Sequence, residues 1–201
     1  MESVCDEFSH MIKTRFPVIT DHTIFSNHSL AIIDNMFRFI VMGGIAYSSA
    51  SINYTKIHVA SNDFPKPSGY DHIPVNIRKY LTSMNKIHSE VSFIINSRKY
   101  KVHIVCEGDS INITKMIRTN IKKMYIWLFV LSNISNYECS REVNIYLYLT
   151  PVKKTFTTAN VILGQVHVNT AFTRSCQVNT DITVYREEEW FKTFIHETFH
   201  S

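Results

Sequence analysis

Glycine and proline are scarce in this chain, five of each among 201 residues. That excludes a collagen-like or linker-rich, low-complexity protein. Cysteine is equally thin. Cys5, Cys106, Cys139 and Cys176 are widely scattered, with no CxxC pair among them. Buried or incidental thiols are therefore expected rather than a disulfide framework. There is no Gly-rich phosphate loop and no GxSxG elbow, so neither P-loop nor serine-hydrolase chemistry has a motif behind it. A clean membrane-length apolar run is missing too. The most apolar stretch, residues 29–48, is interrupted by Asp34 and Arg38, and a buried helix is expected there rather than a membrane span. The first residues are acidic and polar, unlike a secretory signal, which makes an intracellular location the expectation.

What is present describes a packed protein. Hydrophobic residues make up 45% and aromatic residues 12%, enough for a real core in a chain of this length. The net charge of +4 is mild and spread along the chain, so no specific nucleic-acid partner is expected. Ile, Asn, Lys and Tyr are favoured, as in the products of AT-rich genomes. Two prolines and a glycine in residues 62–69 mark a linker. The expected division is an N-terminal α/β segment, 1–65, and a main unit, 66–201.

Periodicity fills in the elements. Residues 30–39 have helical apolar spacing, which Gly43-Gly44 is expected to break, and 52–60 alternate as a strand. Residues 74–84 suit a helix with Pro74 at its start. Residues 91–95 and 100–106 form a hairpin around Asn96-Ser97-Arg98. A long helix from Asn112 to about Leu131 buries Ile113, Ile117, Ile121 and Leu128, with Lys115, Arg118, Lys122 and Lys123 on a solvated face. Strands follow at 143–149 and 182–185, with short extended pieces at 161–163 and 166–168. The fold class is α+β.

The chemistry sits at the end of this order. His196-Glu197-Thr198-Phe199-His200 is a HExxH motif, whose histidines, four apart on a helix, point at one metal ion. Glu197 stands where a general base to a metal-bound water belongs. A helix from near Arg186 is expected, with Glu187, Glu188 and Glu189 in its first turn complementing the dipole. Trp190, Phe191, Phe194, Ile195 and Phe199 would form its apolar back, with His196, His200, Glu189 and Thr193 opposite. Among possible third ligands, His167 is the best placed. Cys176 is a weaker candidate, and Glu189 lies about 10 Å along the helix axis from His196, too far for bonds near 2 Å. The remaining histidines, His88 and His103 among them, show no ligand spacing.

The order of long helix, strands and motif helix is similar to the N-terminal half of a zincin, the HExxH metallopeptidase superfamily. More narrowly, Leu149-Thr150-Pro151, the stretch from His167 to Thr173, and the stretch from Ile182 to Lys192 leading into His196-Glu197 resemble metallopeptidases of large nucleocytoplasmic DNA viruses. The resemblance covers about the last quarter of the chain. It implies a Zn2+ cofactor on His196 and His200, Glu197 as catalytic base, a peptide or protein substrate held along an edge strand, and a location in host cytoplasm or virion. In zincins the third ligand lies downstream of the motif, and here only Ser201 follows. A truncated, impaired enzyme is therefore one expectation. The alternative is a non-catalytic viral structural or interaction protein that keeps a metallopeptidase remnant.

Overall fold

The computed structural model describes residues 26–59, 63–83, 86–107, 110–136, 138–154, 169–174 and 177–201. The expected pieces at 161–163 and 166–168, with His167 and Cys176, lie outside the described residues. The chain is α+β. Helix α1 spans Asn27–Ser49, β1 Asn53–Val59, α2 Val75–Ser83, β2 Lys86–Ile95, β3 Arg98–Cys106 and α3 Ser110–Ile134. Strands β4 (Glu142–Leu149), β5 (Ala171–Thr173) and β6 (Asn179–Val184) follow, then helix α4, Trp190–Thr198. The six strands form one mixed sheet in the order β1-β2-β3-β4-β6-β5. β3, β4 and β6 run parallel, and the two edges are antiparallel to their neighbours. Both sides of the expected boundary at residue 65 meet in this unit. β1 pairs along β2, and Phe64 is buried with Ile73, Ile77 and Tyr148.

Alternation decides which face each strand buries. Val91, Val102, Ile145 and Ile182 point to one side and pack under Ile117, Ile121 and Met124 of α3. Val105, Tyr148 and Tyr185 point to the other, beneath Ile77 and Leu81 of α2. The β2–β3 hairpin turns through Asn96 and Ser97, both at positive φ (47° and 67°), the pair of left-handed residues that a tight two-residue hairpin needs.

Two expectations about α1 need correction. Gly43-Gly44 does not break the helix, which continues to Ser49. A Cβ on Gly43 would stand 3.3 Å from Ile126 O and from Phe129, so that glycine serves a close crossing with α3. Nor is the helix buried. Leu30, Ile33, Phe37 and Ile45 are all exposed. By length and composition, His28–Ser49 is long and apolar enough to cross a membrane.

Candidate metal centre

Strand β6 does not run straight into the motif helix. Tyr185 N donates to Thr170 O at 3.0 Å, Thr150 Oγ1 donates to Tyr185 O at 2.7 Å, and Glu187 N donates to Thr150 O at 3.0 Å. Arg186 is fully buried, with Nη1 donating to Val152 O at 2.7 Å and Nε to Asn169 O at 3.3 Å. These long-range bonds keep the backbone extended past residue 186. The chain then turns through Glu189 in the left-handed region (φ 54°), and α4 begins only at Trp190. The expected start near Arg186 is thus four residues early. The glutamates precede the first helical turn, which holds no acidic residue.

The nine residues of α4 are too few to hold a helix alone, so packing fixes them. Phe194 is fully buried, a gain of roughly 1.5–3 kcal/mol. Trp127 Nε1 of α3 donates to Thr198 Oγ1 at 2.9 Å, while Thr198 Oγ1 donates back to Ile195 O. Phe199 departs from the expected apolar back. The helix ends at Thr198, and Phe199 lies 66% exposed, edge-on to Trp127. His200 N donates to Glu197 O at 3.1 Å, and this tighter turn carries the second histidine back over the first.

The two imidazoles converge. His196 Nε2 and His200 Nε2 stand 3.2 Å apart on exposed side chains. Two donors on a tetrahedral ion with bonds near 2.0–2.1 Å are separated by about 3.3–3.4 Å, so the pair meets the requirement for two zinc ligands. Glu197 turns inward and is 9% exposed. Its Oε2 accepts from Thr173 Oγ1 at 2.7 Å, which ties the motif to edge strand β5. Thr173 was missed in the sequence. Its role depends on the β5–β6 pairing that sets Thr173 opposite Ile182. Among the described residues no third His, Cys, Asp or Glu joins the two imidazoles in a group able to hold a metal. Glu189 instead faces Lys192 at 3.5 Å.

A second histidine pair lies on the α2 side of the sheet. His88 and His103 are buried, with His88 Nε2 3.2 Å from His103 Nδ1. Tyr146 stacks on His103, Glu90 lies 3.6 Å from it, and Lys101 and Asp181 also act on it. Burial, the adjacent His88 and Lys101 push His103 down to about 4 against the pull of Glu90 and Asp181, and burial lowers His88 as well. The unfolded chain, whose histidines titrate near 6.5, therefore binds more protons between about pH 6.5 and 4. Stability is full above that window and falls as pH drops through it. Urea midpoints at pH 7.5 and pH 5 are expected to show a lower value in acid. His103→Gln should shrink the difference, and an unchanged difference would remove His103 from the account.

The expectation of buried or incidental thiols is corrected at Cys139, which is disulfide-bonded, whereas Cys106 is buried in the core. Compared with family models, with curated proteins and with solved structures, the chain finds no match.

Proposed function

We propose that this chain carries the metal centre of a zinc-dependent, zincin-like metallopeptidase, with His196 and His200 as ligands and Glu197 as general base. The observation that carries this reading is the 3.2 Å convergence of the two Nε2 atoms, one residue from a carboxylate anchored to an edge strand. When bound, zinc supplies a Lewis acid that polarises the scissile carbonyl and makes the attacking water acidic enough to react near neutral pH. Glu197 takes the proton of that water. Thr173 occupies Oε2, which leaves Oε1 as the acceptor. The new C–O bond forms as that proton leaves the water, and the same oxygen then returns the proton to the departing amine nitrogen as the amide C–N bond breaks.

Strand β5 positions the substrate. Among the described residues it pairs only with β6, so its outer edge offers backbone groups to an extended peptide, which binds as an added strand beside α4. His167 is the proposed third donor, with Cys176 the weaker candidate, and both lie outside the described residues. An intracellular viral setting, in host cytoplasm or virion, belongs to the same proposal. The absence of a third donor among the described residues favours a second reading, a viral structural or interaction protein that keeps the motif without catalysis. The zinc content of the purified chain, with and without the two imidazoles, tests the proposal. Zinc that depends on both supports it, and a metal content indifferent to them refutes it.

A further inference from the structure

Helix α1 carries an apolar seam that no described residue covers. Leu30, Ile33 and Phe37 are each about half exposed, and Val41 and Ile45 continue the row. At 100° per residue these five fall within a sector of about 120°, spread over about 22 Å of helix. The opposite side of α1 packs on α3, through Gly43 against Ile126 and Phe129 and through Tyr47 against Tyr125. Nearer the N-terminus even that support is missing. Every described side chain from His28 to Asn35 is exposed except Ser29, which is half-buried. Apolar surface of this extent on a helix marks an interaction site.

Two charges flanking the seam identify its occupant. Asp34 and Arg38 form an ion pair at 2.9 Å and are 59% and 71% exposed. They lie near the middle of the apolar stretch His28–Ser49, where a bilayer tolerates charge least. A foreign groove would need a matching pair of its own. A second copy brings that pair by symmetry. If two α1 helices cross antiparallel about a two-fold axis near Phe37, residue numbers on facing levels sum to 74. Ile33 then meets Val41 of the partner subunit. Leu30 meets Gly44 of the partner subunit, at a glycine with nothing within 4 Å of where its Cβ would be. Asp34 comes within about 3 Å along the axis of Arg38 of the partner subunit, and the reverse pair forms with it. This is an isologous interface, in which one patch is complementary to itself. The packed side of α1 faces away from the seam, so the two bodies lie on opposite sides.

We propose that α1 is a self-association helix, and that the protein forms a two-fold dimer through an antiparallel α1–α1 seam centred on Phe37. The dimer buries the exposed row and exchanges the Asp34–Arg38 pairs between copies. The proposal is independent of the metal centre.

Sedimentation velocity on the full chain, over a range of concentrations, tests it. The wild-type chain is expected to sediment as a dimer. Asp34→Arg and Arg38→Asp each set like charges against one another across the axis, and each is expected to weaken dimerisation at least about tenfold. The double variant restores it, and an equimolar mixture of the two single variants forms heterodimers. Circular dichroism should match wild type throughout, because both side chains point to solvent. A wild-type chain that stays monomeric at every concentration overturns the proposal. So does a dimer indifferent to these charges. A monomer that co-sediments with phosphatidylcholine–phosphatidylserine vesicles also overturns it, by giving the seam to lipid.

Discussion

Glu197→Gln is expected to lower kcat for peptide hydrolysis at least about a hundredfold, the lower range of what a positioned general base contributes, while zinc stays bound. Glutamine has nearly the shape of glutamate, and its amide oxygen can still accept from Thr173 Oγ1, which holds the carboxylate at 2.7 Å. The helix and both imidazoles should therefore stay in place. What disappears is a basic oxygen able to take a proton from water. Because the loss falls on proton transfer, kcat should drop with little change in KM. Hydrolysis that survives the substitution would come from another protein in the preparation or from another mechanism.

The second large effect falls on stability. Arg186→Met should destabilise the fold by about 3 kcal/mol, since it removes the hydrogen bonds of a fully buried guanidinium to two partly buried carbonyls, and a hydrogen bond from a charged group contributes roughly 1.5–3 kcal/mol. Those carbonyls are Val152 O and Asn169 O, so one side chain fastens two loops at the end of β6. Burial already lowers the Arg186 pKa, a sign that the charge is held there against its hydration and by its bonds. In a domain of this size the change corresponds to a Tm lower by about 6–12 °C. Arg186→Lys, able to serve one carbonyl, should lose less. Zinc affinity should weaken as well, because these bonds decide where α4 begins. A Met variant within about 1 kcal/mol of wild type by urea denaturation would mean that Arg186 fastens nothing of consequence.

How far the fold could be read in advance depended on the range of the forces involved. The β2–β3 hairpin, α3 and β4 followed from local alternation and periodicity. The HExxH spacing likewise placed two imidazoles together, because a single helical turn is a local matter. Other features answer to partners far along the chain. The Gly43-Gly44 step looked like a helix end, yet Gly43 meets Ile126 and Phe129, and no local rule announces a crossing partner. The glutamates looked like a first turn, but Arg186 is held in extended backbone by carbonyls of two loops. Thr173 reaches Glu197 only through the β5–β6 register. Hydropathy showed that α1 is apolar. It could not show that much of that surface faces outward.

Zinc per chain, measured after the protein is loaded and dialysed, tests the central claim most directly. The account predicts about one zinc per wild-type chain. His196→Ala and His200→Ala should each lose most of it, since two donors that converge at 3.2 Å bind as a unit. His167→Ala, in parallel, shows whether that residue is the third donor. A wild-type chain that retains no zinc would contradict the claim, as would a zinc content that neither imidazole substitution changes.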